Sequence, residues 1–218
     1  LKISRKTGRV FVHAYEDPWI IAGQGVIGLE ILEEHPGIEA VIVPIGGGGL
    51  ISGIAIAIKS LKPQARVIGV QANGAATMAE SLRKGKPVTI QNIQTMAEGI
   101  AVKQTSPYTF SYIQKYVDHI VTVSDEEIAA AILQLLEKTK TIVEGAGATT
   151  LAALLSGQCD FKEKDIVCLL SGGNIDVTTL SHIIERGLVK QGRMVKLNIT
   201  LEDKPGALHQ LTKIIAEL

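Results

Sequence analysis

Residues 41–53 read VIVPIGGGGLISG and place four consecutive glycines between two short apolar runs. Glycine disfavours both helix and strand, so four glycines at such a junction need a physical reason. The β-branched run before them predicts a buried strand, and the run after them predicts a helix. Backbone N–H groups at the start of that helix would face an anion with no β-carbon in the way. Without further context, the same four glycines are also compatible with a simple tight turn.

The alternation of strand and helix continues on both sides of this loop. Ser124 and Glu127 form a capping-box pattern at the start of one later helix. Strands alternating with helices predict an α/β fold, an open and mainly parallel sheet with helices on both faces. The predicted strands cover 40–45, 65–71, 118–124 and 165–170, and the predicted helices cover 50–60, 75–84, 125–139, 147–157 and 176–186.

Composition and charge argue against several classes of protein. The 218 residues contain 22 Lys and Arg and 22 Asp and Glu, and this balance is unlike that of a general nucleic-acid binder. No apolar run reaches the roughly 18 residues of a membrane span, and no signal-peptide pattern opens the chain. Cys159 and Cys168 lack the spacing of a disulfide framework or a zinc site, and Cys168 is predicted to be a buried thiol. We therefore expect a cytoplasmic protein that binds neither nucleic acid nor membrane.

The two ends of the chain suggest a piece of a longer protein. Residues 1–17 show no helix cap or domain-opening signal, and the chain stops inside a helical pattern. We expect one domain over 1–187, a polar linker over 188–193, and the beginning of a second domain over 194–218. In the last segment, residues 194–201 alternate like a half-exposed strand and 207–218 begin an amphipathic helix. This βα unit is too small to fold alone.

Four more motifs accompany the glycine loop in a fixed order. They are EDPWIIAGQGVIGLEI (16–31), AEGIAVK (97–103), VEGAGA (143–148) and LLSGGNID (169–176). Together with the glycine loop, the set resembles the fold-type II pyridoxal-phosphate enzymes, and within them the threonine dehydratases, over residues 1–187.

The resemblance implies a cofactor site. The phosphate of pyridoxal phosphate would lie against the backbone of Gly46, Gly47, Gly48, Gly49 and Leu50. Ser171 matches the serine that hydrogen-bonds the pyridine nitrogen; a hydroxyl leaves that nitrogen largely neutral, which suits β-elimination. Read without the resemblance, Ser171 is an ordinary helix N-cap and Glu144 a first-turn acid. The resemblance also places three further residues close to the cofactor, namely Gly99, Glu144 and Asn174.

Two elements of the family are missing from this sequence: the segment with the Schiff-base lysine, and a Ser-x-Gly-Asn-His loop that binds the substrate carboxylate. The lysine that binds the cofactor through a Schiff base lies in a Ser-Phe-Lys segment that does not occur here, and Lys103 belongs to a different motif. We therefore assign no catalytic residue in this chain and expect the chain alone to be inactive. Relatives that bind a divalent cation have acids where this chain has Gln71 and Thr77, so no such metal is expected. A monovalent ion held by carbonyl groups stays open, and the five histidines are too scattered to suggest a metal site.

The segment VKLNITLEDKPGALHQLTKII (195–215) resembles the first strand and helix of an ACT regulatory domain. That resemblance implies an effector site at Asp203, Pro205 and Gly206; the plain alternative is a solvated turn. For the protein as a whole, the resemblance implies elimination and deamination of L-threonine, and of L-serine, to 2-oxobutanoate or pyruvate and ammonia. It further implies a homo-oligomer, a dimer or tetramer, that responds to an amino-acid or nucleotide effector. The alternatives are a serine racemase or serine dehydratase of the same fold, or a non-catalytic fragment that only binds phosphate or effector.

Overall fold

The computed structural model describes residues 2–157, 165–195 and 197–217. Its centre is a four-stranded sheet in the order β3–β2–β1–β4, with every neighbouring pair parallel. The strands are β1 (Ala40–Pro44), β2 (Arg66–Ala72), β3 (His119–Val123) and β4 (Ile166–Cys168).

Nine α-helices flank and extend this sheet within the described residues. They are α1 (Lys2–Thr7), α2 (Pro18–Glu34), α3 (Gly49–Leu61), α4 (Thr77–Lys84), α5 (Pro107–Tyr116), α6 (Asp125–Thr139), α7 (Gly145–Leu155), α8 (Val177–Lys190) and α9 (Ala207–Ala216). Two 3-10 turns add Asn73–Ala75 and Glu98–Ile100. In these ranges no helix is both long and apolar enough to cross a membrane.

Strand β1 lies in the interior of the sheet and is buried along its whole length. Ala40 and Ile42 belong to an apolar cluster with α6, α7 and α8, whereas Val41 and Val43 belong to a second cluster with α2, α3 and α5. A strand covered on both faces requires apolar residues at every position, which explains its continuous apolar sequence. The prediction of a parallel sheet with helices on both faces is confirmed.

The strand order places a switch point beside β1. The chain leaves β1 for β2 on one side and returns much later to β4 on the other side. In open α/β sheets, ligands bind in the crevice outside the carboxyl ends of the two strands at such a point. The residues that follow β1 and β4 therefore border the expected binding crevice.

The predicted capping box is present at the start of α6. The Glu127 N–H donates to Ser124 Oγ at 3.2 Å, and the Ser124 N–H donates to Glu127 Oε2 at 2.7 Å. All four predicted strands are also present, β4 in a shorter form than expected.

The expectation that residues 1–17 carry no helix cap is wrong. Asp17 caps α2 by accepting a hydrogen bond from the Trp19 N–H at 2.8 Å, and Pro18 opens the helix. Aspartate before proline is a regular helix start, because proline needs no hydrogen bond at the first position. A short helix, α1, also forms within this segment.

Two expectations for the C-terminal part are also wrong. Helix α8 does not end near 186 but continues to Lys190, into the predicted linker, because Gly187 is buried against α6. A β-carbon on Gly187 would lie 2.8 Å from the Ala129 carbonyl oxygen, so this glycine serves close helix packing. The strand predicted over 194–201 does not form in the described residues of that range, where no neighbouring strand offers hydrogen bonds.

The structure describes one of the two cysteines. Cys159 lies outside the described residues. Cys168 on β4 is a free thiol, but it is only partly buried rather than fully buried as expected. Its surroundings raise the pKa of the thiol to about 11 by desolvation, so it stays protonated near neutral pH.

Candidate active site

The glycine loop connects β1 to α3. Gly48 precedes the first residue of α3 and has a φ of 92°, a left-handed conformation that favours glycine. A β-carbon at this position would also lie 2.8 Å from Ile113 Cδ1. Across the described ranges, the N–H groups of Gly46, Gly47 and Gly48 donate to no protein acceptor. The loop thus offers a row of unpaired amides at a helix N-terminus.

These amides border a cavity of about 300 Å³ at the carboxyl edge of the sheet. The cavity unites most of the residues that the sequence singled out, although they come from distant parts of the chain. Its lining includes Gly46, Gly47, Gly48, Gly49, Leu50, Gly99, Glu144 and Ser171. The remaining lining residues are Ala14, Tyr15, Gln24, Pro44, Ile100 and Ala146.

Glu144 occupies the N-cap position of α7 and connects two walls of the cavity. Its backbone N–H donates to the Gly172 carbonyl at 3.1 Å. Its carboxylate lies over Gly172, where a β-carbon would be 2.1 Å from Oε1, and it also approaches Gly99. A side chain at position 172 would therefore displace the Glu144 carboxylate from its present place over the loop after β4.

Ser171 follows β4 and lines the same cavity as the glycine loop. Its side chain is exposed and makes no hydrogen bond to any residue that the structure describes. The interpretation of Ser171 as a helix N-cap is wrong, because α8 begins at Val177 and is capped by Asp176, whose Oδ1 accepts from the Thr179 N–H at 2.8 Å. The serine hydroxyl is thus available to a ligand.

Asn174 lies next to this cavity but does not line it. It borders an adjoining, larger cavity of about 570 Å³ together with Glu98, Asp176 and Thr179. Gly99 and Glu144 line both spaces, so the two cavities share one wall.

Tyr15 is a cavity residue that the sequence did not indicate. A β-carbon on Gly47 would lie 2.3 Å from Cγ of the Tyr15 ring, so the ring rests directly on the glycine backbone. The ring of His13 meets that of Tyr15 edge to face, with centroids 4.6 Å apart. Burial raises the pKa of the Tyr15 hydroxyl above its ordinary value, and the Glu16 carboxylate raises it further. Residues 8–17 have no helical or strand periodicity, so only the fold reveals this contact.

The two positions considered for a divalent cation are occupied by internal hydrogen bonds. The buried Gln71 amide donates to the carbonyls of Ile45 and Ala75, both at 3.3 Å, and accepts from the Ala79 N–H at 2.9 Å. The Thr77 hydroxyl donates to the Val102 carbonyl at 2.7 Å. Among the described residues, no cluster of three or more His, Cys, Asp or Glu side chains is arranged to hold a metal ion.

Lysine is not part of either cavity wall in the described part of the chain. Lys103 is exposed, and its backbone carbonyl accepts a hydrogen bond from the Ile90 N–H at 2.8 Å. The predicted effector residues Asp203, Pro205 and Gly206 line neither cavity; Gly206 precedes α9 with a φ of 88°.

The arrangement suits a ligand with a phosphate group and a ring that accepts a hydrogen bond. Glycines with unpaired amides and a serine with an unpaired hydroxyl line one space. The molecule is thus an α/β protein with a cavity at the switch point of its parallel sheet, the usual place for a ligand in this class. The family model for pyridoxal-phosphate dependent enzymes matches residues 1–172, and the chain belongs to this family.

Individual relatives agree with the family. The L-threonine ammonia-lyase of Thermotoga maritima is 52% identical over 218 residues, which is 100% of this chain and 54% of the relative. Threonine deaminase isoform 2 of Solanum lycopersicum, in its processed form, has a TM-score of 0.79 at 36% identity, covering 85% of this chain and 52% of that structure. Maize serine racemase also has a TM-score of 0.79, at 35% identity, and the match covers 85% of this chain and 59% of that structure. The chain thus spans about half the length of the curated relative.

Proposed function

We propose that this chain forms the cofactor-holding part of a pyridoxal-phosphate dependent lyase that acts on L-threonine. The observation that carries the proposal is one cavity at the carboxyl ends of β1 and β4, lined by three glycines with unpaired amides and by Ser171 with an unpaired hydroxyl. The 52% identity to a protein named L-threonine ammonia-lyase, from Thermotoga maritima, supports L-threonine as the substrate.

The residues of the cavity have separate tasks in this proposal. The amides of Gly46 to Gly49 and Leu50 bind the phosphate, aided by the positive end of the α3 dipole. Ser171 hydrogen-bonds the ring nitrogen. Gly99 and Glu144 border the ring, and Asn174 lies just beyond them. Pyridoxal phosphate, when bound, supplies the electron sink that lets an amino acid lose its α-proton and β-hydroxyl.

The hydroxyl of Ser171 influences which reaction is favoured. A carboxylate at this position would hold a proton on the ring nitrogen and strengthen the electron sink. A neutral hydroxyl leaves that nitrogen largely unprotonated, so negative charge is stabilised less and elimination of a β-substituent is favoured. This agrees with the proposed ammonia-lyase reaction.

The base that removes the α-proton comes from outside the described residues in this proposal. No lysine among them borders either cavity, and none lies in the family's Schiff-base segment. The 218 residues alone are therefore expected to give no turnover, even with excess pyridoxal phosphate.

The test is to express the protein from its complete reading frame and to incubate it with L-threonine and, in a separate reaction, with L-serine. We expect 2-oxobutanoate and ammonia, with the 218-residue chain as the inactive comparison. Pyruvate from L-serine alone would indicate a serine dehydratase, and D-serine without keto acid would indicate a racemase. Sustained turnover by the 218-residue chain, abolished by changing one of its own lysines, would show that the assignment of the base is wrong.

We further propose that residues 194–218 begin an ACT-like domain with an effector site at Asp203, Pro205 and Gly206. Support comes from the left-handed Gly206 at the start of α9 and from a helix that buries none of its own residues. The effector would be an amino acid or a nucleotide.

A cytoplasmic dimer or tetramer is also part of the proposal. Trp19 at 85% exposure and the half-exposed Val26 and Leu29 leave one side of α2 apolar, and such surface favours association. The molar mass in solution, measured by light scattering, tests the oligomeric state; a monomer at all concentrations would contradict it.

A further inference from the structure

Two carbonyl groups of the glycine loop are held by side chains from other elements. The Thr109 hydroxyl on α5 donates to the Gly47 carbonyl at 2.7 Å, across 62 positions of the chain. The Gln71 amide at the end of β2 donates to the Ile45 carbonyl at 3.3 Å. Each bond fixes one peptide unit of the loop.

Fixing a carbonyl also fixes the direction of the next N–H. The described residues contain no cis peptide bond, so the C=O and the N–H of each planar peptide point in opposite directions. With the Gly47 carbonyl held by Thr109, the Gly48 N–H points away from α5. Gly48 is buried, lines the cavity, and finds no acceptor for this N–H within the described ranges.

The Thr109 hydroxyl bonds outside its own helix. Helical serine and threonine hydroxyls commonly bond the carbonyl four residues earlier. Ser81, Thr139 and Thr212 do so in this chain. Thr109 lies in the first turn of α5, where the carbonyl four residues earlier precedes the helix, and the residue is fully buried with its hydroxyl bonded to the glycine loop.

We propose that Thr109 is a positioning residue for phosphate binding. By holding the Gly47 carbonyl, its hydroxyl keeps the Gly48 N–H directed at the phosphate before the ligand arrives. A loop whose peptides could rotate would have to be ordered on binding, which weakens affinity. The inference rests on the proposed function, because it assumes that the cavity binds the phosphate of pyridoxal phosphate.

The experiment compares the binding of pyridoxal 5′-phosphate with that of pyridoxal, which lacks the phosphate. The dissociation constant of pyridoxal divided by that of pyridoxal 5′-phosphate gives the contribution of the phosphate to binding. Inorganic phosphate serves as a competitor. Thr109→Val keeps the shape of the side chain but removes the donor, and Thr109→Ser keeps the donor. Thr77→Val is the matched control, because Thr77 is also buried and donates to a backbone carbonyl at 2.7 Å.

We expect Thr109→Val to weaken binding of pyridoxal 5′-phosphate relative to pyridoxal about tenfold, because the freed peptide must then be ordered when the phosphate binds. Thr109→Ser and Thr77→Val should keep the wild-type ratio, with folding confirmed by circular dichroism. If Thr109→Val fails to fold, Thr109→Ala and Thr109→Ser are compared in its place, and the same difference between them is expected.

The outcomes separate the two levels of the proposal. An unchanged ratio in folded Thr109→Val, or an equal loss in Thr77→Val, would overturn the role of Thr109 and leave the cofactor site intact. A wild-type protein that binds both compounds equally and is not competed by phosphate would overturn the phosphate site itself.

Discussion

Gly47 has an unpaired backbone amide at the proposed phosphate site. It lines the cavity, its amide has no acceptor within the described residues, and the Tyr15 ring lies on its α-carbon. Any side chain here would have to displace the ring or fill the space proposed for the phosphate. The absence of a β-carbon is thus a requirement of the site.

We predict that Gly47→Asp abolishes cofactor retention. The new β-carbon would start 2.3 Å from Tyr15 Cγ, and the carboxylate would repel a phosphate bound at the same amides. Cofactor content is measured by absorbance after gel filtration of the complete protein. Gly23→Asp is the control, because a β-carbon on Gly23 meets no atom within 4 Å. Equal cofactor content in both variants would remove the glycine loop from the site.

At the scale of elements, the crossing of α2 and α3 positions the glycine loop. Helix α3 begins directly after the loop, and it packs on α2 through glycines on both helices. A β-carbon on Gly53 would lie 2.2 Å from the Ile21 carbonyl oxygen, and one on Gly28 would lie 3.0 Å from the Ile54 carbonyl oxygen. Since both obstacles are backbone atoms, the helices would have to move apart.

We predict opposite effects of one substitution at two glycines of this helix pair. Gly53→Ala should lower the free energy of unfolding by about 3 kcal/mol, the upper part of the range for overpacked cores. Gly23→Ala should raise it by about 0.5–1 kcal/mol, because alanine favours helix and the site is open. Urea denaturation followed by circular dichroism measures both. Similar values for the two variants would show that the helices are not in close contact.

The whole molecule consists of an α/β body followed by a C-terminal segment with little burial. Val195 and Leu208 are 74% and 65% exposed, and α9 buries no residue. Apolar side chains exposed at regular spacing need a partner surface, and a completed ACT-like domain would provide one. The proposed effector site therefore belongs to this scale.

We predict that Asp203→Ala weakens the response of the complete protein to its effector. Loss of a hydrogen bond to a charged group should raise the half-maximal effector concentration roughly tenfold or more. Threonine turnover is measured against increasing concentrations of free amino acids and of nucleotides, with basal turnover unchanged. Glu202→Ala is the matched control, since its carboxylate pairs with the adjacent Lys204. If the two variants respond alike, the effector site lies elsewhere.

Local patterns in the sequence were sufficient for much of the body. The strands, the capping box at Ser124 and the glycine loop were predictable, because each depends on residues close together in the chain. Helix α2 was not predicted, because glycines interrupt its apolar pattern. Asp17 and Pro18 are nevertheless a regular helix start. The strand over 194–201 was predicted and does not form in the described residues, because alternation of residue type cannot supply a hydrogen-bonding neighbour.

By itself, the sequence determined that the chain has alternating strands and helices, a loop suited to a phosphate, and the motifs of a pyridoxal-phosphate enzyme. Only the tertiary structure decided which strand ends lie side by side. The order β3–β2–β1–β4 brings Ser171 and the loop at Gly46 to one cavity, and it leaves Asn174 at the adjoining cavity. It also decided that Tyr15 and Thr109 contact the loop, for such contacts join distant segments and depend on how the helices pack.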